Sequence, residues 1–163
     1  EVADLFELLV TGLRREVVRM KSIGVQLDFL GEIKRLPERV QRNMKEAATI
    51  LKNNERIKCN IMFNYGGRTE IVHAVRELIE SGKSAKEINE ELIQQHLYTK
   101  GQPDPDMIIR TGGELRISNF LIWQGAYAEY YVASVFWPDF NREEFYKALS
   151  SFVQRDRRFG LVK

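Results

Sequence analysis

The sequence predicts an α/β fold: a single domain with a mainly parallel sheet flanked by helices on both faces. Two observations carry this. Segments of helical periodicity alternate with short apolar runs along the chain. Those runs are nearly continuous in apolar residues rather than strictly alternating, as strands covered on both faces are. A third observation sets the number of domains. The 163 residues hold no repeat, low-complexity segment or linker, and suffice for one core but not two.

The elements follow in order. In EVADLFELLVTGLRREVVRMKSIG, Val2, Leu5, Phe6, Leu9, Leu13, Val17 and Met20 recur at the three-to-four spacing of an amphipathic helix. After Gly24, VQLDFLG reads as a strand. LPERVQRNMKEAATILKN (36–53) is helical again, with Pro37 suited to a first turn. RIKCNIMFN (56–64) is a second strand and runs directly into YGGR. TEIVHAVRELIESG is a helix ending at Gly82, a glycine cap. INEELIQQHL makes a short helix, KGQPDPD a proline-bearing loop and MIIR a third strand. FLIWQGAYAEYY looks helical and mostly apolar, VASVF reads as a fourth strand, and NREEFYKALSSFVQRDRRF is the last helix, with Asn141 its N-cap.

Composition narrows the class. A formal charge of +2 is too small to argue for nucleic-acid binding, so no nucleic-acid partner is expected. The lone Cys59 excludes an internal disulfide and reads as a small core residue in a reducing compartment. No apolar run approaches the roughly 18 residues of a membrane span, and the first residues do not read as a signal peptide. A cytoplasmic protein is expected. The chain opens without methionine, almost inside a helix, so residues upstream of Glu1 are expected.

In parallel sheets, ligands bind beyond the carboxyl ends of strands, and two strand ends here are unusual. FNYGGR (63–68) joins paired glycines, which permit a sharp turn or a close approach, to Arg68 at a helix start, where free amides favour an anion. The alternative is a tight turn with a solvated arginine. In IIRTGGELRIS, Arg110 ends a strand, two glycines follow, and Arg116 and Ser118 would project to one side of an extended segment. Two guanidiniums, a hydroxyl and exposed glycine amides would cradle a pyrophosphate. Glu129, in apolar company, needs a partner, and a hard cation such as Mg²⁺ shared with phosphate oxygens would be one. Structural ion pairs, Arg110 with Glu114 or Arg116 with Glu129, explain the same residues. Trp123, Tyr127, Tyr130, Tyr131, Phe136 and Trp137 read as core or interface. His73 and His96 lack partners at metal-ligand spacing and read as structural. QRDRRFG (154–160) is either a solvated basic end or a tail that reaches an anion.

These residues resemble a known family. IIRTGGELRISNFLIWQGAYAEYY…FWPDF, FNYGGR and RRFG stand in the order of the cis-prenyltransferase motifs over nearly the whole chain, most like the bacterial undecaprenyl-diphosphate-forming branch. The resemblance implies a fold of six parallel strands, of which this chain supplies about four. It implies Mg²⁺-dependent addition of isopentenyl diphosphate to an allylic diphosphate, usually farnesyl diphosphate, giving a long Z-polyprenyl diphosphate such as a cell-wall lipid carrier. Arg110, Arg116, Ile117 and Ser118 would hold isopentenyl diphosphate, with Asn64, Gly66, Gly67 and Arg68 beside the substrates, and Glu129 would help bind Mg²⁺. Arg158 and Gly160 match a C-terminal R-x-G that reaches the partner's site in a homodimer, with Trp137 to Phe140 near the interface. Release of a long lipid admits peripheral membrane contact.

Two family features are absent. No H-x-x-x-M-D-G-N-x-R motif, whose aspartate serves Mg²⁺ and the allylic diphosphate, is present, and no S-S-E-N-W-like loop with its asparagine. The expectation is that both catalytic residues lie upstream, that 1–163 is the C-terminal major part of one such domain, and that this chain alone is inactive. The alternative is a noncatalytic partner subunit that completes another chain's site.

Overall fold

The computed structural model describes residues 2–155, which fall into two compact units divided between Tyr65 and Gly66. Arg158 and Gly160 lie outside the described residues.

The first unit is built from helix α1 (Val2–Ser22), strand β1 (Val25–Leu30), helix α2 (Glu38–Leu51) and strand β2 (Ile57–Met62). β1 and β2 pair in parallel, Val25 opposite Ile57 and Leu30 opposite Met62. Helical spacing gathers Leu13 of α1 and Val40, Met44, Ala47 and Leu51 of α2 onto Leu27 of β1, with Phe6, Leu9, Val17 and Met20 alongside. Pro37 stands at the N-cap of α2, one residue before the helix proper. Cys59 is half-buried on β2, and burial pushes its thiol above the ordinary value.

The second unit holds helices α3 (Gly67–Glu80), α4 (Glu90–Gln94) and α5 (Arg142–Val153) with strands β3 (Met107–Arg110) and β4 (Glu129–Val132). α3 ends as Gly82 predicts: the glycine is left-handed (φ 76°), its N–H bonds Ile79 O, and Lys83 N–H reaches back to Leu78 O. Asn141 caps α5 by accepting from the Glu143 and Glu144 amides. β3 and β4 pair in parallel, Met107 opposite Glu129 and Arg110 opposite Val132.

The fourth strand falls earlier than VASVF, and the helix expected through FLIWQGAYAEYY is only a 3-10 turn at Gln124–Tyr127. Glu129 N–H bonds Asp106 O at 2.9 Å, so pairing begins with EYYV, whose aromatic and β-branched side chains suit a strand. Residues of VASVF prolong the contact, because Gly112 and Gly113 donate to Val135 O and Ala133 O. The described fold is therefore mixed α/β with four strands in two parallel pairs.

Candidate functional site

The carboxyl end of β3 carries the richest convergence of polar groups. Arg110 Nη1 donates to Arg116 O at 2.5 Å and to Ser118 Oγ at 3.0 Å. Its Nη2 donates to Glu114 Oε2 at 3.1 Å, and that same oxygen accepts from Arg116 Nη2. Two guanidiniums thus meet on one carboxylate. The hydrogen bond from Arg116, and behind it Arg110, holds the Glu114 carboxyl below its ordinary range. Arg110 Nε is buried and has no hydrogen-bond partner among the described residues.

A cavity of about 310 Å³ opens here. Arg110, Arg116 and Ser118 line it together with Ile108, Ile117, Phe120, Tyr130 and Val132. One part offers guanidinium and hydroxyl donors and the rest is hydrocarbon, which suits an anion carrying a short apolar chain. A larger cavity, about 610 Å³, lies in the first unit beside Phe29, Ile33 and Met44 with Asp28, Arg42 and Lys45. Its lining mixes Arg42 and Lys45 with Asp28 and Glu38, so the charges offset one another and size does not select it over the smaller one.

The convergence arises differently from the extended segment expected. Ser118, Asn119 and Leu121 take φ of 49°, 62° and 46°, so the chain turns instead of running straight, and the turn brings the Ser118 hydroxyl onto Arg110. The glycine amides also differ. Those of Gly112 and Gly113, expected to face an anion, are committed to residues 135 and 133. Gly67 N–H donates to Asn119 O at 2.7 Å and Arg68 N–H to Asn119 Oδ1 at 2.9 Å, so these two amides of α3 are also engaged. The Arg68 side chain is exposed. Asn64, left-handed at φ 49°, exchanges hydrogen bonds with Glu32, its O accepting from Glu32 N–H and its Nδ2 donating to Glu32 O.

Glu129 stands apart from the arginine cluster. It opens β4 opposite Met107, about 10 Å of strand behind Arg110. Side chains alternate along a strand, and Tyr130 and Val132 line the cavity, so Glu129 faces the other way. Arg155, just beyond α5, donates Nη1 to Glu129 Oε2 at 2.7 Å. No group of three or more His, Cys, Asp or Glu side chains able to hold a metal exists among the described residues. One carboxylate already paired with an arginine does not make a Mg²⁺ site in this arrangement.

Three residues escaped the sequence reading. Glu70, on the first turn of α3, is 0% exposed; its Oε1 accepts from Tyr98 N–H at 2.8 Å and its Oε2 from Gln124 Nε2 at 3.0 Å. Gln124, 2% exposed, also donates to Thr99 Oγ1 at 2.9 Å. The signal for Gln124 was present: an amide inside the apolar run FLIWQGAY must find partners. Glu70 gave none, since an acidic residue in a first helical turn usually faces solvent. Asn119 is the third. The histidines are structural, His73 stacking on Tyr98 at 5.0 Å and His96 Nδ1 lying 2.8 Å from Leu92 O. Of the aromatics, Tyr127, Phe136 and Trp137 are exposed, and Trp137 stacks on Phe140.

An α/β frame with guanidiniums gathered past a strand end defines a candidate anion site, and comparison with known proteins shows the family of the chain that carries it. The chain belongs to the prenyltransferase family described as putative undecaprenyl diphosphate synthase, whose model matches residues 1–160. Among curated relatives, the ditrans,polycis-undecaprenyl-diphosphate synthase ((2E,6E)-farnesyl-diphosphate specific) of Legionella pneumophila (strain Paris) is 46% identical over 99% of this chain and 70% of its own length. An isoprenyl transferase of Clostridium tetani is 41% identical over 99% of this chain. This chain spans 65% of the length of that relative. Two solved structures align with 99% of the chain. A probable undecaprenyl diphosphate synthase from Campylobacter jejuni is 31% identical, with TM-score 0.88 and 75% of that chain covered. Lavandulyl diphosphate synthase from Lavandula x intermedia, in complex with dimethylallyl diphosphate, is 33% identical, with TM-score 0.93 and 72% covered.

Proposed function

We propose that the protein is a Mg²⁺-dependent cis-prenyltransferase that joins isopentenyl diphosphate to an allylic diphosphate, farnesyl diphosphate being the starter, and releases a long Z-polyprenyl diphosphate. The observation that carries this is the Arg110–Arg116–Ser118 cluster on a cavity whose remaining wall is apolar. In this reading the diphosphate of isopentenyl diphosphate takes the place of the Glu114 carboxylate between the two guanidiniums. Arg110 Nε and the Ser118 hydroxyl add donors, and Ile117 and Phe120 border the five-carbon chain. Gly66, Gly67 and Arg68 support the same end of the unit, and Asn64 belongs to the same motif.

In such a reaction Mg²⁺ neutralises charge developing on the departing allylic diphosphate. Glu129 is the carboxylate this chain would offer a cation, but it faces α5 and is held by Arg155, so no step of the proposal passes through it. We propose with it a homodimer, Arg158 and Gly160 reaching the partner's site and Trp137 to Phe140, of which Trp137 is exposed, lying near the interface. It also includes a cytoplasmic location with peripheral membrane contact. No helix among the described residues is long and apolar enough to cross a membrane.

The test is incorporation of labelled isopentenyl diphosphate into farnesyl diphosphate by the complete protein, with Mg²⁺ and then with a chelator, comparing Arg110→Lys. Chelator-sensitive growth of a long product is expected. Lysine cannot make the forked contact, so Arg110→Lys should weaken isopentenyl diphosphate about 10- to 100-fold. An unchanged KM in Arg110→Lys refutes the site assignment. Diphosphate binding without any product points instead to a noncatalytic partner subunit.

A further inference from the structure

We infer that Asn119 is a positioning residue that couples the start of α3 to the loop bearing Arg116 and Ser118, an inference that rests on the diphosphate reading of that loop. The first amides of a helix have no partner inside it, and α3 gets none from its own N-cap, because Gly66 has no side chain to offer. Asn119 supplies both acceptors, its O to Gly67 N–H and its Oδ1 to Arg68 N–H, the latter 51 positions away. The residue before it is Ser118, whose hydroxyl accepts from Arg110. One peptide unit therefore separates the cap of α3 from the arginine fork.

The local sequence is shaped to this contact. Three of the four residues from 118 to 121 are left-handed without being glycine, a costly run that persists only where the surroundings over-determine it. Asparagine is among the residues that adopt this conformation most readily. Across the contact, a Cβ on Gly66 would lie 2.7 Å from Asn119 Nδ2. One on Gly67 would lie 2.7 Å from Ile122 Cγ1 and 3.3 Å from Asn119 O. The paired glycines leave room for the loop to seat. Asn119 acts on the anion only through its neighbour, by keeping Ser118 and the Arg116 carbonyl where Arg110 meets them.

Two substitutions separate the cap from the backbone conformation. Asn119→Gly keeps the left-handed backbone and the Gly67 bond but removes the Arg68 acceptor, whereas Asn119→Asp restores an acceptor. The readouts are hydrogen exchange at the Arg68, Arg116 and Ser118 amides, calorimetric affinity for inorganic pyrophosphate, and thermal midpoint, each on the complete protein. In Asn119→Gly, exchange should rise about tenfold at Arg68 and rise together at 116–118, with pyrophosphate bound about tenfold more weakly. Asn119→Asp should return Arg68 exchange to the wild-type rate. A thermal midpoint that falls while affinity stays unchanged overturns the inference, as does faster exchange confined to Arg68. If wild type and Arg110→Lys alike fail to bind pyrophosphate, the diphosphate reading is what fails. Joint exchange at Arg68 and 116–118 then still supports the coupling, and its absence still overturns it.

Discussion

Glu70 projects from the first turn of α3 into a fully enclosed space, where its two carboxyl oxygens take hydrogen bonds from the Tyr98 amide and from Gln124. Glu70→Ala removes both acceptors at once. Taking the acceptor from the part-buried Tyr98 N–H costs about 1–3 kcal/mol, and Gln124, which keeps Thr99, loses about 1 kcal/mol more. The unfilled space left by the side chain adds about another 1 kcal/mol, so the whole change is about 3–5 kcal/mol. Glu70→Gln should be milder, near 1 kcal/mol, by a specific route. Gln124 Oε1 is buried without a hydrogen-bond partner among the described residues, so turning that amide over would present it to the new Nε2. Urea unfolding of the complete protein, followed by tryptophan fluorescence, measures both variants, since Trp123 adjoins Gln124. A loss under about 1 kcal/mol for Glu70→Ala would refute the network account. Equal damage in Glu70→Gln would refute the amide turn.

Gly67→Ala drives a Cβ against Ile122 at 2.7 Å and should cost about 1–3 kcal/mol, visible as a lower urea midpoint. An unchanged midpoint would show that the loop at 119–122 can yield. Glu114, held low chiefly by Arg116, should titrate below the ordinary carboxyl value of 4.5, as read by carbon NMR of its side chain. Because its folded pKa is depressed, the stability it contributes is present above the unfolded pKa and lost as pH falls through the folded one. A midpoint at or above 4.5 would mean that the two arginines do not share it in solution.

Periodicity and punctuation made most of the fold legible. The stripe on α1, the glycine at 82 and the asparagine at 141 each act locally, and local signals survive in a single sequence. β4 lies earlier than VASVF because the largely apolar run from Tyr130 to Phe136 does not reveal where a ladder begins; Asp106, from a distant segment, decides that. At the site, the chemistry of Arg110, Arg116 and Ser118 announced itself, but the conformation did not. Left-handed φ at Ser118 and Leu121 runs against their residue types and is imposed by tertiary contacts. The glycines at 66 and 67 were legible as points of close approach. What approaches, in the described residues, is residues 119–122 of the same chain.

The carboxylate shared by Arg110 and Arg116 bears on selectivity. Any anion entering between them competes with one tethered a few bonds away, at a high effective concentration set by the short TGGE loop. Chloride or acetate, with a single charge, gains little from two guanidiniums that it must take from an equal rival. A diphosphate brings more charge and more acceptor oxygens, enough to displace Glu114 and still satisfy both arginines. In the diphosphate reading proposed above, the built-in anion would act as a threshold, keeping monovalent ions out of a pocket whose guanidiniums would otherwise collect them.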